Sequence, residues 1–465
     1  MNSDLMGFNE LSQSIGARFF SFSPDIGFSS VAIDSRAIKE GCLFFALTGS
    51  SCDGHSFVSA AFNAGARAAM VEASKLESLD LVNIAKKRGK NLIVLENTKK
   101  GLQDSARTYL EKFPGLLKIG ITGSNGKTTT KEIAAEIISC EKNTVSNKGN
   151  FNSETGLPLS VFEVRHHHEV GIFELGMNRR GEIAEIASVL KPNIALVTNI
   201  GHAHIEYFGS KLEIVKEKRC IFNFLTDNGV ALIPENDEYS GVLADGVMRK
   251  VKFFEANSYD EFEGTRSLGL EGTEIYWAGE KIRFALPGDH SLKDAMAAIA
   301  IAKEVPVSND AIKRGLESVK PLFGRLEILR GRVTVIRDCY NANPESTVAC
   351  IEFCDSLDWS GRRVYVIGDM LELGENSYFA HTQTGSALAH SKADSVFLFG
   401  REIEVAASCL VSKGKYFFHT CDMEELSAVL DSYVQTGDLV MLKGSRGCAL
   451  ERLSEMLTGE TCSDS

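Results

Sequence analysis

The sequence is poor in several things at once, and each shortage excludes something. Nine prolines and two tryptophans in 465 residues leave no material for a Pro-rich linker. No run of 18 apolar residues occurs, so no segment is expected to span a membrane. The 11 cysteines include no CxxC pair and are odd in number, so the spacing offers neither a disulfide framework nor a zinc site. They read as reduced thiols of a cytoplasmic protein. Basic residues are outnumbered, with 50 Lys and Arg against 62 Asp and Glu and a net charge of −12. Such a chain lacks the basic field that nucleic-acid binding draws on, although single phosphate ligands can still be held by local amides and a few cations. The opening MNSDLMGFNELSQS has neither a basic nor an apolar region, which argues against a signal peptide. No repeat of fixed period is present, and the one low-complexity piece, His166–His168, reads as a polar loop.

What is present is globular. Hydrophobic residues make up 44% and charged residues 24%, close to the average for packed domains. At roughly 150 residues per domain the length suggests about three domains. Residues 1–97 alternate short apolar runs, such as Cys42–Leu47, with helical stretches, such as Phe57–Ala66, as a small α/β unit does. A second block covers 98–325. There Leu116–Thr122, Val170–Leu175 and Asn193–Ile200 read as strands, and Thr129–Cys140 and Glu182–Leu190 as helices. A third block, 326–465, alternates again through Val364–Ile367, Val396–Phe399 and Leu439–Leu442. Strand–helix alternation predicts parallel sheets covered on both faces.

The strongest motif is Gly123-Ser124-Asn125-Gly126-Lys127-Thr128-Thr129, between a predicted strand and a predicted helix. Glycines let the backbone turn its N–H groups inward onto phosphate oxygens, and the helix start adds positive potential. Lys127 is placed for the β/γ-phosphates and the Thr128 hydroxyl for Mg²⁺. Ile121 stands where the first glycine of GxxxxGK[ST] belongs, so the match is to the shorter GxxGKT. Alone, such a loop says only that a nucleotide binds.

Glu174 closes the next strand, where an acid beside a phosphate loop can hold Mg²⁺. His204 follows another strand; imidazole is an unusual Mg²⁺ ligand, and an ordinary hydrogen-bonded loop histidine is the competing reading. Lys218 lies in a predicted helix, Ser210–Leu225, with Ile214, Val215, Ile221 and Phe222 at −4, −3, +3 and +4. A lysine on that apolar stripe either snorkels to solvent or enters a site where burial lowers its pKa. Lys216, with Leu212, Glu213, Arg219 and Cys220 at those offsets, reads as solvated.

Together these residues resemble the ATP-dependent Mur ligases of peptidoglycan precursor synthesis, along nearly the whole chain. The early block contributes Asp34-Ser35-Arg36, Phe44-Phe45-Ala46-Leu47 and Asp53-Gly54-His55. The middle contributes the phosphate loop, Asn150-Phe151-Asn152, Gly156-Leu157-Pro158, Glu174-Leu175-Gly176, Ala203-His204 and Lys218. The late block contributes Gly324-Arg325-Leu326-Glu327, Asp338-Cys339-Tyr340-Asn341-Ala342-Asn343-Pro344, Gly368-Asp369-Met370-Leu371-Glu372-Leu373-Gly374 and Lys443-Gly444-Ser445-Arg446. YNANP and GDMLELG point within the family to the MurF type.

The resemblance implies an α/β fold of three domains: a small N-terminal UDP-substrate domain, a central P-loop parallel-sheet domain that binds ATP, and a Rossmann-like C-terminal domain. It implies a cytoplasmic, monomeric ligase that joins D-alanyl-D-alanine to UDP-N-acetylmuramoyl-tripeptide through an acyl phosphate, with no nucleic acid and no membrane insertion. Thr128 and Glu174 would hold the Mg²⁺ shared with ATP, His204 a second Mg²⁺, and Lys218 would carry a CO₂-derived carbamate as a further metal ligand. Gly123, Ser124, Asn125, Gly126, Lys127, Thr128 and Thr129 would bind the phosphates. Arg325, Asp338 and Asn341 would reach ATP from the hinge and third domain. Asn150 and Asn152 would face the UDP-sugar, and Ser35 and Arg36 would contact it from the first domain.

The sequence departs from the family at Ser153, at Cys220, and at His290-Ser291-Leu292-Lys293-Asp294, where the family usually has His-Asn-x-x-Asn. The last departure bears on the adenine side of the site. A sibling ligase adding a single amino acid, or a nucleotide-dependent switch, are the competing readings. The first lacks its DNPR-type motif here, and the second leaves Lys218, His204 and the third-block motifs without a task.

Overall fold

The computed structural model describes residues 4–24, 26–49 and 52–459. Its strands fall into four sheets, and their order explains where the phosphate loop sits. The central sheet has six strands in the order Lys250–Phe254, Val230–Pro234, Ile194–Val197, Leu117–Thr122, Val170–Glu174, Thr144–Ser146. Every pairing is parallel, as the alternation predicted. Leu117–Thr122 lies between strands that follow it on both sides. That is a topological switch point, where the loops leaving the carboxyl ends part to either face and open a crevice.

The helix after the loop, Lys127–Ser139, packs Ile133, Ile137 and Ile138 into a core shared with the Ala-rich helix Asp289–Ala302. Burying each such side chain stabilises the fold by about 1.5–3 kcal/mol, so the loop is anchored by its helix. The other face of the sheet is covered by Glu182–Leu190, whose Ile183, Ile186, Ala187 and Leu190 are buried in one stripe. Lys211–Arg219 is a helix continued by a 3₁₀ turn, Cys220–Phe224, so the predicted single helix to Leu225 ends one turn early. A three-stranded antiparallel meander, Phe262–Ser267, Thr273–Trp277 and Glu280–Phe284, lies between the central sheet and the Asp289–Ala302 helix in sequence. Its first strand is largely exposed and shows no apolar alternation from which a strand could be read.

The first sheet runs Arg18–Phe20, Asn91–Leu95, Ala68–Glu72, Cys42–Phe45, Ser30–Ala32 and is parallel except at the Arg18–Phe20 edge. The last runs Glu327–Arg330, Thr334–Asp338, Leu439–Lys443, Arg363–Gly368, Ser395–Phe399, Tyr416–Thr420. It is parallel except where Glu327–Arg330 meets Thr334–Asp338. Both faces of this sheet carry separate cores. No helix among the described residues is long and apolar enough to cross a membrane. The ten described cysteines are free thiols, and Cys462 lies outside the described residues.

Candidate functional site

One cavity of about 490 Å³ opens at the carboxyl end of the central sheet and is closed from above by the last sheet's loops. From the central part it is lined by Ser124–Thr129, Asn152, Glu174, His204 and Asp294. From beyond residue 322 it is lined by Arg325, Asp338, Tyr340, Asn341, Glu345 and Lys443.

The phosphate loop is set by its neighbours. Ser124 donates its amide to the Asn199 carbonyl at 3.0 Å and Asn125 donates to Asn199 Oδ1 at 3.0 Å. The Asn125 carbonyl accepts from Thr198 Oγ1 and Asn199 Nδ2. Gly126 carries φ +76°, and a β-carbon there would stand 1.9 Å from Asp294 Oδ1, so only glycine fits this turn. Lys127 folds back to donate to the Gly123 carbonyl at 2.9 Å. Burial lowers its pKa.

Thr128 Oγ1 donates to Glu174 Oε2 at 2.7 Å, and Arg325 Nη2 reaches the same hydroxyl at 3.0 Å. The other Glu174 oxygen accepts from Asn152 Nδ2 at 2.7 Å. Glu174 is 2% exposed. Its position is fixed by a residue the sequence did not flag. Asn147 accepts from the Glu174 amide at 2.9 Å and donates to its carbonyl at 3.1 Å. The Asn147 carbonyl accepts from the fully buried Lys131. Lys131 lies one turn after Lys127 on the loop's own helix, and that spacing was the available signal.

Lys218 is buried behind the loop and does not line the cavity. Its Nζ donates to the Gly123 carbonyl at 2.8 Å, the same oxygen that Lys127 uses. Burial, and then the neighbouring Lys127 ammonium, push its pKa well below the ordinary lysine value. The snorkelling alternative is thereby excluded, whereas Lys216 is exposed and paired with Glu213 at 2.7 Å. His204 lines the cavity in the left-handed conformation, φ 64°. Burial lowers its pKa, and Nδ1 stands 2.6 Å from Glu372 Oε2 without being aligned as a hydrogen bond.

On the far wall the Arg325 guanidinium stacks 4.3 Å above the Tyr340 ring. Asp338 ion-pairs with Lys443 at 2.9 Å, and Lys443 donates to the Asn341 carbonyl at 2.8 Å. Asn343 donates to Asn125 Oδ1 at 2.6 Å, joining the far wall to the phosphate loop.

Five expected positions lie outside the cavity lining: Gly123, Lys218, Asn150, Ser35 and Arg36. Asn150 is exposed. Ser35 and Arg36 form a turn beside the first sheet, capped by Asp34, and the Arg36 side chain is 88% exposed while paired with Asp34 at 2.7 Å. Among the described residues no three His, Cys, Asp or Glu side chains converge as a metal cluster. The hard oxygens nearest the phosphate loop's helix start include the Thr128–Glu174 pair. That donor set suits Mg²⁺, which takes one or two protein oxygens and completes its shell from water and phosphate.

Family models match the chain in three stretches: Mur ligase family, catalytic domain, over 28–113; Mur ligase middle domain over 121–302; and Mur ligase, glutamate ligase domain, over 324–446. The UDP-N-acetylmuramoyl-tripeptide–D-alanyl-D-alanine ligase of Treponema pallidum is 40% identical over 460 residues, covering 98% of this chain and all of that one. A crystal structure of MurF from Acinetobacter baumannii superposes with a TM-score of 0.87 at 26% identity, over 97% of this chain and 98% of the other. MurF ligase from Thermotoga maritima in complex with ADP gives 0.78 at 28% identity, over 93% and 97%.

Proposed function

Since this chain belongs to the Mur ligase family, and within it to the MurF type, we propose that it joins D-alanyl-D-alanine to UDP-N-acetylmuramoyl-tripeptide with ATP. This makes the pentapeptide precursor in the cytoplasm, as a monomer. The observation that carries the reading is the convergence of the phosphate loop, Glu174, His204 and the Arg325–Asn341 wall on one cavity. The units are 1–97 for the UDP-substrate, 98–325 for ATP and 326–465 for the incoming amine.

A carboxylate does not yield its oxygen to an amine. The γ-phosphoryl of ATP passes to the tripeptide carboxylate, giving an acyl phosphate and ADP. The amine of D-alanyl-D-alanine attacks the acyl carbon, and phosphate leaves as the amide forms. Lys127, Arg325 and the loop amides hold the phosphates in line and meet the charge that develops there. Thr128 and Glu174 would hold one Mg²⁺; His204 and a carbamate on Lys218 would hold a second. Bound there, the ions supply charge neutralisation and a Lewis acid at the phosphoryl oxygens. Lys218 supports its part by being buried beside another ammonium, because only the neutral amine adds CO₂. Asn152 holds Glu174, Asn150 and the Ser35–Arg36 turn face the UDP-sugar, and Asp338 with Asn341 shapes the nucleotide side.

The test is phosphate release from ATP with UDP-N-acetylmuramoyl-tripeptide, comparing D-alanyl-D-alanine with single amino acids. Release is expected to require the dipeptide. Release without any amine, or with a single amino acid in preference, would overturn the reading.

A further inference from the structure

The GDMLELG stretch has no task in the reaction as described, yet its loop is held by several side-chain bonds. Asp369 at its base accepts from the Arg401 and Ile403 amides at 3.0 and 2.8 Å. Leu371 donates its amide to Ser445 Oγ at 2.9 Å, and Met370 donates to the fully buried His381 at 3.0 Å. Met370 and Leu373 are buried. The loop thus presents Glu372, just before the buried Leu373, from a rigid base.

Seven non-glycine residues in the described chain have positive φ, and two of them face each other across this contact: Glu372 at 61° and His204 at 64°. Left-handed backbone at a non-glycine residue is strained and persists where surrounding structure imposes it, which happens most at functional sites. The Glu372 carboxylate lies 2.6 Å from His204 Nδ1, and the Glu206 amide donates to the Glu372 carbonyl at 3.2 Å. Gly374 follows at φ +52°, and a β-carbon on it would stand 3.0 Å from Glu206 Cγ, so a larger residue would press the two loops apart. A second pair, His202 Nδ1 with Glu345 Oε1 at 2.5 Å, holds the same histidine loop from a different helix. Docking therefore does not depend on Glu372 alone.

We propose that Glu372 is a positioning residue: its carboxylate stands 2.6 Å from His204 Nδ1, and a small turn of the ring brings Nδ1–H onto it from the last unit, which keeps the proton on Nδ1 and leaves Nε2 free as a lone-pair donor in the cavity. An imidazole that serves a metal has its other nitrogen held by a carboxylate or carbonyl in this way. Its partner here comes from the unit that would carry the amine, so His204 is completed only when that unit is docked. The inference rests on the proposed role of His204.

The test is ¹⁵N NMR of the histidine rings in the nucleotide-free full chain, with His204 assigned by loss of its signal in His204→Gln. The wild type is expected to show the Nδ1–H tautomer, Glu372→Ala to lose it, and the near-isosteric Glu372→Gln to keep it through its amide oxygen. In steady state, Glu372→Ala should lower kcat about 10- to 100-fold with the KM for the UDP-substrate within twofold, and Glu372→Gln should recover most of kcat. Adding Glu372→Ala to His204→Ala should cost nothing further, because the two residues act as one unit. An unchanged tautomer in Glu372→Ala, or additive losses in the double variant, would overturn the proposal. Full activity in His204→Ala would instead overturn the role of His204, whatever the tautomer.

Discussion

Asp294 offers the sharpest physical test of the site. It stands in the first turns of the Asp289–Ala302 helix with Oδ1 against Gly126, where the family usually has asparagine. Burial pushes its carboxyl up to about 8, against the pull of Arg325. Between about pH 4 and pH 8 the folded protein binds a proton at this residue that the unfolded chain does not, so stability falls as pH rises through that window and the full cost is reached above it. At about 1.4 kcal/mol per pH unit the ceiling is about 6 kcal/mol. The carboxyl touches the cavity, whose water relieves part of the desolvation, and a working value is about 2 kcal/mol. Asp294→Asn removes the titration and keeps the shape. In thermal unfolding of the nucleotide-free protein the variant should come closest to the wild type near pH 4 and exceed it by about 4–8 °C at pH 8.5. Parallel pH curves, or a variant less stable at pH 8.5, would refute the reasoning. A protonated carboxyl offers one donor and an acceptor, as an amide does, so the departure from the family pattern preserves the hydrogen-bonding character of the position.

Lys218→Ala should abolish ligation, and added short carboxylates should restore part of it by replacing the carbamate; full activity in the variant would remove the carbamate from the mechanism. Gly126→Ala should weaken ATP binding at least tenfold, measured by calorimetry, because its β-carbon meets Asp294 at 1.9 Å, while binding of the UDP-substrate stays unchanged. Asn147→Leu should lower kcat by about tenfold and raise the Mg²⁺ concentration needed for half-activity, since it strips both backbone bonds that orient Glu174; an unchanged Mg²⁺ dependence would count against the brace.

The parts of this molecule that follow one-dimensional rules were legible. The phosphate loop, the buried Glu174 and the stripe that hides Lys218 all come from period and spacing, and the structure places each where those rules put it. Residues whose task depends on approach from a distant segment were not. Asn147 lies 27 residues before the carboxylate it braces, and Glu345 and Glu372 lie more than 140 residues after the histidines they meet. No local pattern distinguishes these side chains from surface polar residues. The antiparallel meander failed for another reason: its first strand, Phe262–Ser267, is largely exposed and carries no apolar alternation.

The charge balance also takes a different meaning from the site. A net −12 argues against polyanionic partners only if the whole surface acts together, and at physiological salt exposed charges are screened beyond about 8 Å. The site lysines escape that screening by burial. Lys127 donates to the Gly123 carbonyl. Lys131 and Lys443 donate to backbone carbonyls but also pair with Glu132 and Asp338, and surface lysines such as Lys216 and Lys313 are likewise neutralised by carboxylates. An ammonium held by a carbonyl keeps most of its field, and keeping it out of water costs free energy until an anion arrives. In the proposed reaction ATP and the acyl phosphate are those anions, so the cost of burying Lys127 in the empty site becomes selectivity for the charge that the reaction moves.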